Sequence, residues 1–336
     1  MRKLISLVVA IALAATAVAA IAGIGSAASR RIASTKLNLV AYSTPREAYG
    51  KLIPLFQKTA AGKDVDFSQS YGASGEQTRA VKAGLDADIV ALSLAPDMDE
   101  LVAAGKVDAK WKKQSYKGMV TNSVVVFVVR DGNPKHIKSW NDLIRPGVEI
   151  VTPNPFTSGG ARWNIMAAYG SWRKQGKTDK QAQANLLKLW KNVAVQDTSA
   201  RASLSTFNSG KGDVLLAYEN EAYFSRMQGL NLQWVIPKTT ILIENPIAVT
   251  KDSTDKAAAN SFLRTPAAQQ VFADNGYRPV VKSVENANRK KFPVRPGLFT
   301  IDQLGLGGWD KVQKRFFDPS NSIMARFQRI VGGSTG

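Results

Sequence analysis

Ser158, Gly159 and Gly160 lie where the sequence predicts a helix to begin, and this arrangement can bind an anion. Apolar residues follow at the spacing of one helical face: Trp163, Met166, Ala167 and Gly170. Because glycine has no Cβ, the unpaired N–H groups of the first turn stay open to a ligand, and the helix dipole attracts negative charge to them. An ordinary N-cap at a tight turn is the alternative interpretation.

Cysteine and histidine content excludes several kinds of chemistry. The chain has no cysteine and a single histidine, His136, which lies in a predicted surface turn. Disulfides, thiolate metal sites and cysteine nucleophiles are therefore excluded. One histidine also rules out histidine-rich metal sites and a Ser-His-Asp triad with a spare base. We expect no cofactor, no bound metal and no enzymatic activity.

Residues 1–28 have the features of a secretory signal peptide. Arg2 and Lys3 precede an apolar run that extends from Leu4 to about Ile24, and small residues continue to Ala28. We predict cleavage near Ala28 and export to the periplasm. The run is also long enough for an uncleaved membrane anchor, which is the alternative.

The chain is strongly basic. Its 45 lysine and arginine residues outnumber 26 aspartate and glutamate residues, which gives a formal net charge of +19. Such a balance favours an anionic ligand or an anionic surface, or reflects a basic proteome. The basic clusters are not interleaved with aromatic residues as in a nucleic-acid groove, so we expect no nucleic-acid partner.

The order of elements predicts an α/β fold with two lobes. A strand, a polar loop and a helix start recur in that order at Ser43, Ser74, Ser158 and Ala200, and three βα units indicate parallel strands with crossover helices. Local patterns also predict capping boxes, in which Thr44 pairs with Glu47 and Ser74 pairs with Gln77. Long β-rich runs near 120–130 and 241–249 are able to cross between lobes. The predicted boundaries are a first lobe over 37–119, a second lobe over 120–236, a return to the first lobe over 237–297, and a helical tail over 298–336.

Several motifs, in order over residues 37–317, resemble the periplasmic sulfate-binding proteins. They are Ser70–Gln77, Trp140–Gly147, Thr152–Asn164, Gly212–Glu221 and Phe299–Asp302. The resemblance implies a type II periplasmic binding protein fold, with two αβ lobes whose parallel-rich sheets are joined by hinge strands. It also implies a monomer that delivers sulfate to the permease subunits of an ABC importer. A receptor for thiosulfate or another tetrahedral oxyanion is the alternative, followed by an exported nucleic-acid-binding protein.

The same resemblance implies a ligand site made of uncharged donors. It assigns hydroxyl groups, backbone N–H groups and one aromatic side chain to the anion, at Ser43, Ser74, Ser158, Gly159, Gly160, Ala200 and Tyr218. The family usually has aspartate at the position of Ser43 and tryptophan at the position of Tyr218. An indole N–H only donates a hydrogen bond, whereas a phenol also accepts one. Packing of Tyr218 in the cleft is the alternative role.

A site of this kind selects sulfate because the ion is fully deprotonated and needs only donors. Phosphate carries a proton and would leave a buried group unpaired, at a cost of about 1–3 kcal/mol. Two arginines, Arg162 and Arg201, are expected to pair with carboxylates such as Asp197 and to support the loops.

Overall fold

Strands and helices alternate over most of the chain, as the βα pattern predicts. The computed structural model describes residues 35–251 and 256–335, so the predicted signal peptide lies outside the described residues. The strands are β1 (Thr35–Tyr42), β2 (Val65–Gly72), β3 (Ile89–Ala91), β4 (Met119–Val129), β5 (Ile150–Pro153), β6 (Val193–Asp197), β7 (Val214–Tyr218), β8 (Gln233–Val235), β9 (Thr240–Val249), β10 (Arg278–Pro279) and β11 (Leu298–Phe299). The helices are α1 (Arg46–Gln57), α2 (Ser74–Lys82), α3 (Ala95–Ala103), α4 (Gly159–Lys174), α5 (Asp179–Lys191), α6 (Ala200–Asn208), α7 (Glu219–Met227), α8 (Ala257–Phe262), α9 (Pro266–Asp274), α10 (Lys282–Ala287), α11 (Gly308–Val312) and α12 (Ile323–Val331).

The strands follow the order β2-β1-β3-β9-β4-β7-β5-β6. At one end, β1 is parallel to β2 and β3, and we call these three strands the first parallel group. At the other end, β5 is parallel to β6 and β7, and we call these the second parallel group. Ligands of α/β proteins bind outside the carboxyl ends of parallel strands, so each group brings one candidate binding edge.

Two long antiparallel strands connect the groups. The first half of β4 pairs with β9, and its second half, from Val125 to Val129, pairs with β7. In turn, β9 pairs with β3 through Ile247–Val249. The sequence predicted a long strand over 120–130, and the structure confirms it with a shift of one residue.

The helix that begins at the Ser-Gly-Gly segment is the most deeply enclosed. All residues of α4 from Gly159 to Trp172 are buried. The indole N–H groups inside this core have partners, as buried tryptophans require: Trp163 donates to the backbone oxygen of Ser93, and Trp172 donates to Asn141 Oδ1, both at 2.9 Å. The core therefore fixes the direction of α4 and of its first turn. Among the described residues, no helix combines the length and apolarity needed to cross a membrane.

Both predicted capping boxes are wrong. At the start of α1, no side chain caps the helix, because the Thr44 hydroxyl is hydrogen-bonded to the Tyr277 hydroxyl at 2.9 Å and Glu47 pairs with Arg201. Helix α2 begins at Ser74 itself, and its hydroxyl accepts a hydrogen bond from the backbone N–H of Ser93. Tertiary partners have replaced the local caps at both helix starts.

Two helical glycines provide a test of the packing around α4. A Cβ added to Gly170 would lie 2.5 Å from Phe299 Cζ and 2.9 Å from Leu304 Cδ2, whereas a Cβ added to Gly50 in α1 would meet nothing within 4 Å. We expect Gly170→Ala to lower the free energy of unfolding by about 1–3 kcal/mol through overpacking. The control Gly50→Ala should raise it by about 0.5–1 kcal/mol, because alanine loses less backbone entropy in a helix. Urea denaturation measures both values, and stabilisation by both variants would contradict the packing.

Candidate functional site

The carboxyl ends of the two parallel groups face each other. The Gly75 N–H, in the first turn of α2, donates to the Thr157 carbonyl before α4 at 3.0 Å. In the first loop, the Thr44 carbonyl accepts a hydrogen bond from Arg201 Nη2 at 2.9 Å. These contacts bring the starts of α1, α2, α4 and α6 close together.

Ser158 and the first turn of α4 supply several unused donors. Ser158 is the N-cap, with extended backbone angles, and its hydroxyl does not cap the helix. The first N–H groups of any α-helix have no partner inside the helix. Ser158, Gly159 and Gly160 are all buried, so these donors are shielded from bulk water.

The two glycines of this turn lie against different neighbours. A Cβ at Gly159 would collide with Leu94 and lie 2.5 Å from Ser93 Oγ, so only glycine fits there. The position of a Cβ at Gly160 is 3.3 Å from Ala200 Cβ, 3.4 Å from Ser158 Oγ and 3.7 Å from Tyr218 Cζ. Two predicted residues from other segments, Ala200 and Tyr218, are therefore neighbours of this turn.

Ser74 and Ser43 complete the set of predicted residues. The buried Ser74 hydroxyl accepts a hydrogen bond from the Ser93 N–H at 2.9 Å, and it also forms a hydrogen bond with Asp97 that opposes the rise in the pKa of that carboxyl. Ser43 lies half-buried directly after β1. The contacts of this first loop are made by the next residue, Thr44, rather than by the Ser43 side chain.

Tyr218 ends β7 inside the cleft. Its ring packs edge-on against Tyr42, with 6.3 Å between the ring centroids, and its hydroxyl lies 2.6 Å from Ser93 Oγ. Burial, with a smaller contribution from Tyr42, raises the pKa of Tyr218 well above its usual value, so the hydroxyl keeps its proton. The ring therefore packs as the alternative interpretation predicted, and the assignment of its hydroxyl to an anion stays a prediction.

A buried ion pair lies behind Ser74. Arg162 Nη1 is 3.1 Å from Asp97 Oδ1, and Arg162 Nε donates to the Pro155 carbonyl at 2.9 Å. Burial raises the pKa of Asp97, and Arg162 and Ser74 oppose that rise. The expected pairing with Asp197 is wrong, because Asp197 Oδ1 accepts instead from the Thr206 hydroxyl.

Arg201 joins α6 to the first loop. Its guanidinium donates to both oxygens of Glu47 and both oxygens of Glu221 at 2.7–2.9 Å. In a separate pair, Arg278 donates to both oxygens of buried Glu219. Burial raises the pKa of Glu221 and of Glu219, and the paired arginine opposes the rise in each case. Glu47, Glu219 and Glu221 are therefore each paired with an arginine, whereas one oxygen of Asp97 is buried without a geometric hydrogen-bond partner among the described residues.

Ser93 is the residue of this site that sequence reasoning missed. It follows β3, which is only three residues long, and no helix-capping pattern marks it. Its position at the carboxyl edge of a parallel strand is the signal that was available. Within 35–251 and 256–335, no group of three His, Asp or Glu side chains is placed to hold a metal ion.

Comparison with known proteins gives consistent matches over most of the chain. Residues 37–278 match the family model described as bacterial extracellular solute-binding protein. A sulfate-binding protein from Synechococcus elongatus is 42% identical over 310 residues, covering 89% of this chain and 88% of the relative. A thiosulfate-binding protein from Escherichia coli is 34% identical over 309 residues, covering 87% of this chain and 91% of the relative.

A solved structure shows the same architecture. The sulfate-binding protein SubI from Mycobacterium tuberculosis superposes with a TM-score of 0.81 at 41% sequence identity, covering 84% of this chain and 100% of that chain. The predicted mixed α/β fold of the type II binding proteins is confirmed by this match. The resemblance inferred from the ordered motifs is confirmed as well.

Two acidic residues of α3 test the buried ion pair. Asp97→Asn leaves the Arg162 guanidinium buried without a counter-charge, and arginine cannot lose its proton. We expect a loss of about 3–5 kcal/mol in the free energy of unfolding at neutral pH. The control is Glu100→Gln, which removes an exposed partner of Lys82 and should cost less than about 1 kcal/mol. Equal losses in urea denaturation would show that Arg162 does not depend on Asp97.

Proposed function

Because this chain belongs to the bacterial extracellular solute-binding protein family, we propose that it captures sulfate between two lobes and delivers it to an ABC importer. The observation that carries the proposal is the meeting of Ser158, Gly160, Ala200 and Tyr218 around one helix start. The 42% identical relative named for sulfate supports sulfate over thiosulfate, since the relative named for thiosulfate is 34% identical.

In this proposal the ion receives hydrogen bonds from both parallel groups. From the second group, Ser158 donates through its hydroxyl, and Gly159, Gly160 and Ala200 donate through backbone N–H groups at helix starts. The first group contributes the Ser74 hydroxyl and the backbone N–H at Ser43. The Tyr218 hydroxyl is the last of the proposed donors. The Ser74 hydroxyl also forms a hydrogen bond with Asp97, so in this proposal its proton turns from Asp97 to the ion when the ion binds.

Neutral donors suit a dianion that is buried. Asp97 and Glu221 lie near the site, and each is held by an arginine, which lowers their repulsion of the ion. A ligand that brings two negative charges and no proton gains from every N–H and O–H group in the site. The chain would act by binding alone, without catalysis.

In this proposal the lobes move about a hinge in the two long strands, β4 and β9. We propose the boundaries predicted from the sequence, with a first lobe over 37–119 and 237–297, a second lobe over 120–236, and a helical tail over 298–336. The passage of β4 and β9 between the parallel groups supports a hinge there. The importer's permease subunits would then recognise the closed form of the monomer.

Export is tested by the N-terminus of the protein recovered from the cell envelope. We propose a periplasmic location and expect the mature chain to begin at Ser29, because Ala28 provides the small residue that signal cleavage requires. N-terminal sequencing and intact mass identify the cut. The variant Ala28→Arg should remain uncut, and a wild-type chain that keeps residues 1–28 would support a membrane anchor instead.

Sulfate binding is tested by isothermal titration calorimetry on the exported protein. We expect wild type to bind sulfate, and Ser158→Ala to weaken binding by about 10- to 100-fold through loss of one hydrogen bond to a charged ion. The control Ser171→Ala alters a buried serine on the same helix that donates to Thr239, and its affinity should match wild type. Tighter binding of thiosulfate than of sulfate would contradict the assigned ligand, and an unchanged Ser158→Ala affinity would remove that residue from the site.

A further inference from the structure

The side chains of Ser93 and Tyr218 form a hydroxyl pair at the site. Each residue is 1% exposed, and 2.6 Å separates Ser93 Oγ from the Tyr218 hydroxyl oxygen. Either hydroxyl can be the donor in this bond. The pair links the end of β3, in the first parallel group, to the end of β7, in the second.

The backbone of Ser93 is fixed, so only its hydroxyl can turn. Its N–H donates to Ser74 Oγ, and its carbonyl accepts from Trp163 Nε1 and from Asn245 Nδ2, all at 2.9 Å. Every backbone polar group of this residue is therefore occupied. Rotation of the hydroxyl proton is the remaining freedom.

The pair lies against the first turn of α4. A Cβ at Gly159 would be 2.5 Å from Ser93 Oγ, and a Cβ at Gly160 would be 3.7 Å from Tyr218 Cζ. These are the two glycines whose N–H groups are proposed to hold the ion. The hydroxyl pair is thus adjacent to the proposed N–H donors.

Backbone N–H groups can only donate, whereas a hydroxyl both donates and accepts. For a fully deprotonated ion, Ser93 donates to the Tyr218 oxygen and Tyr218 donates to the ion. For an ion that carries a proton, the direction reverses: the ion donates to the Tyr218 oxygen, and Tyr218 donates to Ser93 Oγ. Since Tyr218 stays protonated in both cases, no charge is created by the reversal.

We propose that the Ser93–Tyr218 pair allows this site to bind tetrahedral oxyanions that carry one proton, such as hydrogenphosphate, in addition to sulfate. The proposal rests on the proposed function, because it uses the same site. Tyr218 contacts the ion, and Ser93 is a positioning residue that either donates a hydrogen bond to the Tyr218 hydroxyl or accepts one from it.

Calorimetric titration with sulfate and, separately, with inorganic phosphate tests the pair. The phosphate titration is done at a mildly alkaline pH, where hydrogenphosphate is the main species. Wild type should bind both ions. In Ser93→Ala the Tyr218 proton has no acceptor when a protonated ion is bound, so hydrogenphosphate affinity should fall about tenfold or more beyond any loss for sulfate. The control Ser171→Ala should leave the ratio of the two affinities unchanged.

Circular dichroism shows whether Ser93→Ala folds. If it does not fold, a second variant, Tyr218→Trp, tests the same proposal. Tyr218→Trp provides an indole N–H that cannot accept, so the sulfate-to-phosphate affinity ratio should rise at least about tenfold. Sulfate binding without measurable hydrogenphosphate binding in wild type would overturn this inference and leave the proposed function intact. An unchanged ratio in both variants would also overturn it. Absence of sulfate binding in wild type would overturn the proposed function and the inference together.

Discussion

Two arginine–carboxylate pairs, one buried and one partly buried, join the two parallel groups, and the proposed donor site depends on this arrangement. Arg162 reaches Asp97, and Arg201 reaches Glu47 and Glu221. Removing such charges from water is costly, so a buried pair keeps its place only when its geometry is good and its remaining polar atoms are satisfied. Arginine suits this role because its planar group donates in several directions at once. Here the same guanidinium that meets a carboxylate also binds a loop carbonyl, at Pro155 or at Thr44.

The sequence was sufficient to predict the order of elements and to select residues that the fold brings together, namely Ser158, Gly160, Ala200 and Tyr218. Alternating strands and helices, each joined by a short polar loop, predict parallel strands, and parallel strands place their loops at one edge. The segment Ser158–Gly160 was recognisable because few residue types leave a helix start open. The glycines also serve packing, since a Cβ at Gly159 would strike Leu94. Packing therefore requires glycine at position 159, and glycine is also the residue that would leave the backbone N–H open to an anion.

Long-range partners were not predictable from the sequence. Thr44 and Ser74 match local capping patterns, yet each hydroxyl is used by a residue from a distant segment, Tyr277 or Ser93. The assignment of Asp197 to the arginines failed for a similar reason. Proximity in sequence favoured Asp197, while the folded chain brings Asp97 and Glu47 closer. Local propensities contribute about 1 kcal/mol at a cap, which a buried tertiary contact can exceed.

The net charge of the protein attracts anions over a longer distance than the buried groups that discriminate between them. A formal charge of +19 attracts any anion, but salt screens this attraction beyond about 8–10 Å. Attraction at that range depends on the charge of the ion and not on its protonation, so it does not separate sulfate from hydrogenphosphate. Discrimination must come from buried groups that contact the ion, where an unmatched donor or acceptor has no water to replace its partner. The hydroxyls of Ser93 and Tyr218 differ from those of Ser74 and Ser158 because they are hydrogen-bonded to each other and can exchange donor and acceptor roles. Net charge therefore attracts anions of either kind, and in our proposal these two oxygens, 2.6 Å apart, determine whether a protonated ion is bound.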